Sequence, residues 1–260
     1  MRRASDWATR VMHEASSYEA NCFVTLTYGR DRLPPGASLD HRDFQLFLKR
    51  LRADQAKTRR IRFYMCGEYG DLNERPHYHA CLFNIDFRSD RIMSGKSGSG
   101  MPFYESAQLT RLWGHGIASV QDLTRETAGY CARYVMKKIL GPEAKQAYDL
   151  VDPETGEITH RKPPYAAMSL KPGIGAAWFE KYGDQVGRQD FVVASGAKAP
   201  PPKYYDKLLK RRDEAQLESN QFARQHRAKA HADDNTDERR RVREIVHEAR
   251  VSSLKRSLDQ

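Results

Sequence analysis

Two histidines at alternate positions, His77 and His79, stand in the run CGEYGDLNERPHYHACLF that spans residues 66 to 83. A strand pattern from Ile61 to Glu68 leads into it, and Gly70, Asp71 and Asn73 make a turn-rich break. Pro76 then opens a second strand pattern from His77 to Phe83. The pattern predicts a β-hairpin. Side chains alternate between the faces of a strand, so both imidazoles project one way while Tyr78 and Ala80 project the other. In an antiparallel hairpin Glu68, at the end of the first strand, comes beside them and offers a carboxylate oxygen. Two histidines and one carboxylate predict a divalent-metal site with positions left open for water or substrate. Carboxylate favours Mg²⁺ and Mn²⁺, and imidazole moves the preference toward Mn²⁺ or Zn²⁺. Mg²⁺ or Mn²⁺ is the expected cofactor. The competing structural reading is two half-buried histidines held by hydrogen bonds, and the nearby Glu68 favours the metal.

A second group with chemical capacity lies on a helix opening at Thr124. There Ala128, Ala132, Val135 and Ile139 gather on one side at the 3.6-residue period, whereas Tyr130, Tyr134 and Lys137 gather on the other. Aromatics at i and i+4 are ordinarily core residues. Here the apolar stripe is occupied by other side chains, so two phenols and an ammonium are expected to form a surface facing an anion, with the tyrosines as nucleophiles. A nucleotide hydrolase of the HIT type also carries alternating histidines on a strand, but the third alternate position is Cys81, which counts against it.

The elements that must position these groups are legible in part. Residues 4 to 17 predict an amphipathic helix with Trp7, Val11 and Met12, and Cys22 to Tyr28 predict a first strand ended by Gly29. After a turn-like segment from Leu33 to Gly36, Asp40 is placed to cap a helix carrying Phe44, Phe47, Leu48 and Leu51 on one face and Lys49, Arg50 and Arg52 on the other. Residues 93 to 100, MSGKSGSG, read as a flexible loop of the kind that covers sites. Ala107 to Trp113 predict a short helix and Gly116 to Leu123 a strand. Leu150 to Thr159 resemble an exposed hairpin, and the run from Pro163 to Gly183 reads as a loop leading to a short helix around Trp178. The proline run at 200 to 202 marks a boundary, which divides the chain into a catalytic domain, 1–199, and a charged, mostly helical or flexible tail, 200–260. Arg239, Arg240 and Arg241 in that tail read as nucleic-acid contacts or as solvated charge.

The chain has 260 residues and a formal net charge of +10, enough for one sizeable core and a basic surface. That excess points to a polyanionic partner, nucleic acid first and an anionic membrane surface second. Cys22, Cys66, Cys81 and Cys131 show neither Cys-x-x-Cys spacing nor a disulfide framework, and are expected to be buried thiols in a reducing compartment. No signal-like or bilayer-length apolar run is present, so the protein is expected to be soluble and intracellular.

Taken together, FVTLTY at 23 to 28, the histidine hairpin at 66 to 83 and YCARYVMKK at 130 to 138 resemble the three motifs of the HUH endonucleases that initiate rolling-circle replication. More narrowly, the sequence is similar to the replication initiators of small single-stranded DNA phages, the gokushovirus-like Microviridae, from about Arg3 through the KPGIG segment at 171 to 175. Members often carry a cysteine-containing segment ahead of the first helix, whereas here Met1 directly precedes RRASDWATR. The difference touches none of the candidate residues. The resemblance implies an α+β fold with a central antiparallel sheet flanked by helices, the metal strand in its middle and the tyrosine helix beside it.

It also implies that Glu68, His77 and His79 are the metal ligands, that Tyr130 and Tyr134 are the nucleophile pair, and that Lys137 assists them. Arg75, Arg133 and Lys138 are the expected DNA-binding cations. The implied activity nicks single-stranded DNA at a phage origin, leaving a 5′-phosphotyrosine link and a 3′ hydroxyl, and later rejoins the ends. The implied partners are origin DNA and a host polymerase and helicase in the bacterial cytoplasm, with no membrane. A relaxase or transposase of the same chemistry, or a non-catalytic basic DNA-binding protein, are the alternatives. Relaxases usually place the tyrosine near the N-terminus, and here the pair follows the histidine strand.

Overall fold

Alternating apolar residues in the first predicted strand do form one: β1 (Asn21–Tyr28) pairs antiparallel with β3 (Pro76–Phe83) on one side and with β6 (Gly116–Asp122) on the other. The computed structural model describes residues 2–56, 58–70, 74–98, 100–134, 147–151 and 154–252. β2 (Arg62–Tyr69) continues the sheet beyond β3, and its outer edge carries β9 (Tyr165–Met168). On the far side β6 is followed by β5 (Pro102–Ser106) and β4 (Arg91–Lys96), which gives the order β4-β5-β6-β1-β3-β2-β9. This is the α+β layout with a central antiparallel sheet that the sequence implied. All eight residues of β3 are buried, because the strand has neighbours at both edges and helices over both faces.

One face of the sheet is covered by α2 (His41–Asp54), whose start is fixed by the Asp40 side chain accepting from the Arg42 backbone N–H at 3.0 Å. Its Phe44, Phe47, Leu48 and Leu51 are buried against Tyr28, Tyr78 and Trp113. Two phenols inside this layer are satisfied: Tyr28 donates to Asp43 at 2.6 Å, and the Tyr78 hydroxyl donates to the Asp40 carbonyl at 2.7 Å. The basic side of α2 has a structural duty. Arg50 donates from Nε to the Leu112 carbonyl and from Nη2 to that of Trp113, the last carbonyls of α3 (Ala107–Trp113), at 2.7 and 2.8 Å.

Over the other face lie α1 (Arg2–Ala15) and α4 (Arg125–Tyr134). Trp7 stacks on Tyr64 with ring centroids 4.6 Å apart, and Glu14 is buried with Arg62 and accepts from the Gly175 N–H at 2.7 Å. In α4, Thr127 to Ala132 are all buried, since the helix is held between α1 and the sheet. The division of α4 into an apolar stripe and a projecting tyrosine side is therefore corrected for Tyr130, which is only 3% exposed. Val135 and Ile139 of the predicted stripe lie outside the described residues.

Two other expectations change. Residues 91–96 of the segment read as a flexible loop belong to β4, where Phe103 on the next strand sits over the space that Gly95 leaves by lacking a side chain. The stretch read as a loop before Trp178 contains β9, a short edge strand paired with Tyr64–Gly67. The exposed hairpin is present as β7 (Asp149–Val151) and β8 (Ile158–His160).

The described chain divides into two compact units, 1–95 with 103–178 and 96–102 with 179–260. Most of α5 (Ala176–Gln189) falls in the second, together with a hairpin of β10 (Val192–Ala194) and β11 (Ala197–Ala199) turned by Ser195 and Gly196, both at positive φ. The proline run at 200–202 lies inside this unit. Beyond it come α6 (Lys203–Arg212), α7 (Glu214–Ala230) and α8 (Asp237–Ser252). Phe179 lies against Tyr205, Asn220 donates to the Gly187 carbonyl at 2.8 Å, and Arg224 bridges Asp190 and Asp206. Arg239 and Arg240 face Asp234 and Asp237 on the exposed end. Among the described residues no helix is long and apolar enough to cross a membrane.

His13 on α1 stacks on Trp178 at 3.6 Å, and burial, helped by the charge of Arg125, lowers its pKa to about 4. The unfolded chain, with an ordinary histidine near 6.5, binds a proton in the window between these values that the folded chain does not. Stability is therefore lost as pH falls from 6.5 toward 4, by about 2 kcal/mol at pH 5. His13→Phe keeps a stacked ring without the proton, so its melting temperature is expected to drop less than the wild type's between pH 7 and pH 5. Equal drops would contradict this account.

Candidate metal centre

The hairpin register puts Glu68 directly opposite His77, and Cys66 opposite His79. Glu68, His77 and His79 consequently share the face turned toward α4. Glu68 Oε1 lies 3.1 Å from His77 Nε2 and 2.9 Å from His79 Nε2, and one ligand atom from each of the three residues falls within 4.8 Å of the others. All three side chains are buried.

The far nitrogen of each ring is engaged. His77 Nδ1 donates to the Arg75 carbonyl at 3.0 Å, since a carbonyl can only accept, and this turns the lone pair of Nε2 toward the carboxylate. His79 Nδ1 lies 3.0 Å from the Thr25 hydroxyl of β1, which stands beside it in the β1–β3 register. Outer partners of this kind fix the orientation and tautomer of metal-binding imidazoles. Burial alone pushes the Glu68 carboxyl up, but hydrogen bonds and charge from His77 and His79 outweigh it and hold the group below its usual range. Glu68 Oε2 is buried without a hydrogen-bond partner among the described residues. A carboxylate with an unfilled buried oxygen beside two oriented imidazoles fits a divalent cation.

Tyr130 belongs to the same layer. Its ring meets His79 edge-on with centroids 4.9 Å apart, and meets Phe23 at 6.3 Å, while Phe23 stacks on His79 at 5.5 Å. Tyr134 is the last residue of α4, and its side chain, like Lys137 and Lys138, lies outside the described residues. Arg133 is exposed on α4. Arg75 is half-buried beside His77 and lines a cavity of about 350 Å³ with Arg30, Arg161, Glu74, Leu33 and Leu150.

Sequence reasoning missed Thr25 and Phe23 as partners of His79. The signal was available, because both stand at alternate positions in FVTLTY and so share one face of β1. It also missed Cys66 and Cys131, whose buried sulfurs lie 3.6 Å apart between β2 and α4. Burial raises both thiols well above the usual range, which leaves them protonated and inert.

A central antiparallel sheet with a buried two-histidine, one-carboxylate cluster on its middle hairpin defines the class, and residues 21–139 match the family model described as replication-associated protein ORF2. That segment belongs to this family. The chain is 32% identical over 219 residues to replication-associated protein VP4 of Bdellovibrio phage phiMH2K, and 30% identical over 221 residues to replication-associated protein ORF2 of Spiroplasma virus 4. It is 30% identical over 216 residues to replication-associated protein ORF4 of Chlamydia phage 1. These alignments take 81%, 80% and 81% of this chain but only 64%, 64% and 51% of the relatives, so the chain spans less than two thirds of their length. No solved structure matches. The matches bear out the resemblance to the replication initiators of small phages.

If the cluster holds Mn²⁺, a free ion concentration one hundred times Kd stabilises the fold by about 2.7 kcal/mol. Glu68→Ala is expected to abolish the corresponding rise in melting temperature. Thr25→Val, which removes only the hydroxyl behind His79, is expected to weaken Mn²⁺ binding by about 10- to 100-fold. Unchanged affinity in Thr25→Val would show that this contact does not orient a ligand.

Proposed function

We propose that the protein is a replication initiator endonuclease that nicks single-stranded DNA at a phage origin by tyrosine transesterification. The observation that carries this reading is the contact of Tyr130 with His79 inside a buried cluster that fits a divalent cation. The relatives' names, all of them replication-associated proteins of phages, weigh for replication over conjugative transfer or transposition.

Glu68, His77 and His79 hold Mg²⁺ or Mn²⁺, which when bound supplies charge that stabilises the phosphate oxygens in the transition state. A tyrosine oxygen, from Tyr130 or Tyr134, attacks the scissile phosphorus in line. The P–O bond to the 3′ oxygen breaks, the phenolic proton ends on the released 3′ hydroxyl, and the 5′ phosphate stays on the tyrosine. The phosphodiester energy is kept, and the reverse attack by a 3′ hydroxyl rejoins the ends. Lys137 lies three residues beyond Tyr134 and favours the phenolate by its charge. Arg75 and Arg133, with Lys138, guide the strand by phosphate contacts, and the arginine-lined cavity at Arg75 is its approach to the cluster. We assign the activity to residues 1–199. The released 3′ hydroxyl primes a host polymerase, with a host helicase, in the bacterial cytoplasm.

Tyr130→Phe keeps the ring against His79 and Phe23 and removes only the hydroxyl. With an origin oligonucleotide and Mn²⁺, each single variant, Tyr130→Phe or Tyr134→Phe, is expected to retain some cleavage, and the double variant to form no covalent adduct. Mass spectrometry of the trapped adduct locates the link. An adduct on another tyrosine, or one that survives in the double variant, would reject the mechanism.

A further inference from the structure

The densest positive charge in the first unit stands at the end of β2 remote from Glu68. A cavity of about 420 Å³ opens between the loop after α2, the start of β2 and residues 169–171. Arg52, Arg59, Arg60, Arg62 and Lys171 line it, and no carboxylate does. Three of these cations are fixed by backbone carbonyls: Arg52 donates to Ile61 at 3.3 Å, Arg60 to Lys171, and Arg62 to Pro172 at 2.8 Å. Their charges are thus held together, where solvated side chains would spread apart. Glu14 is the ion-pair partner of Arg62, yet Arg62 Nη1 remains buried without a partner among the described residues. Burial and then the charge of Arg60 push the Arg52 guanidinium below its ordinary range. Like charges held this close are relieved when an anion enters.

We propose that this cavity is a second phosphate-binding site that takes a backbone phosphate of a nucleic-acid strand away from the position of cleavage. The choice of nucleic acid as the source of the phosphate rests on the function proposed above. Guanidinium groups fit phosphate oxygens in pairs, and such contacts hold a strand without reading its sequence. Leu170, 73% exposed at the rim, adds an apolar surface for a base. Arg62 and Glu68 are six residues apart on one strand, so the cavity and the metal centre are separated by roughly 20 Å. At 3.4 Å per phosphate of a helical strand that is about six nucleotides as a minimum. The sheet face between them is covered by α1 and α4, as the contacts of Trp7 with Tyr64 and of Tyr130 with His79 show, so only a strand long enough to pass around these helices reaches both sites.

Arg59 and Lys171 are both exposed, and the full chain with R59Q and K171Q tests the site. Binding is measured in chelator, so that cleavage plays no part, with strands of about 30 and about 4 nucleotides over a range of salt. The double variant is expected to lose about 1.4 from the log–log salt slope of the long strand, at about 0.7 for each phosphate contact of a single strand, and to bind the short strand as the wild type does. An unchanged slope overturns the proposal. Inorganic phosphate and a nucleoside monophosphate are titrated alongside. If either raises the wild type's melting temperature but not the variant's, while the long-strand slope is unaffected, the site serves small anions and the nucleic-acid assignment falls. Acetylation of Lys171 in the unaltered chain gives a check that does not depend on the variant folding. Protection by the long strand alone supports the proposal, and no protection by it overturns the proposal. Loss of the nuclease reading would leave this slope standing, and loss of the slope would leave nicking of a short strand standing.

Discussion

The register between β2 and β3 is the constraint on which the rest depends. A slip of one residue would turn His77 and His79 to the opposite face and separate them from Glu68. Packing on the far face prevents it. Tyr78 lies between the two histidines and points into the layer under α2, where its hydroxyl is bonded to the Asp40 carbonyl and its ring meets Phe44 and Trp113. A slip would exchange that aromatic for an imidazole and leave the Asp40 turn without its partner. The apolar side of the hairpin thus fixes the geometry of its polar side.

The polar side carries a cost that a cation offsets. Taking a carboxylate out of water is unfavourable, and the Glu68 cluster is buried together with two imidazoles whose outer nitrogens are already committed to Arg75 and Thr25. A dication satisfies the remaining lone pairs at once. The same burial brings the ring of Tyr130 against His79, so a ligand and a candidate nucleophile share one layer beneath α1. Affinity for a long polyanion is a separate matter, supplied by the net charge of +10, part of which the fold concentrates around Arg52, Arg59 and Arg60.

Local chemistry made some of this legible in the sequence and tertiary pairing hid the rest. Asp40 and the spacing of Phe44, Phe47, Leu48 and Leu51 identify α2, because capping and periodicity act within a few residues. The histidine hairpin is legible for the same reason, its turn and alternation being local. β9 and β4 were not legible. Both are edge strands whose residues read as loop, and they are strands only because β2 and β5 offer unpaired backbone. The orientation of Tyr130 was misjudged because a helix with one apolar stripe was assumed to have one buried side, whereas α4 is covered by α1 as well as by the sheet. Arg50 shows the same limit: its sequence reads as a solvated cation, and only the position of α3 makes it a helix cap.

The central claim is that Glu68, His77 and His79 bind one divalent ion in the place where a DNA phosphate is held. Pulsed electron paramagnetic resonance of Mn²⁺ bound to the full chain tests it most directly. The account predicts nitrogen couplings from two imidazoles, loss of one of them in His77→Ala and of the other in His79→Ala, and a phosphorus coupling when single-stranded DNA is added. Mn²⁺ without nitrogen couplings, or with couplings unchanged in both histidine variants, would contradict it.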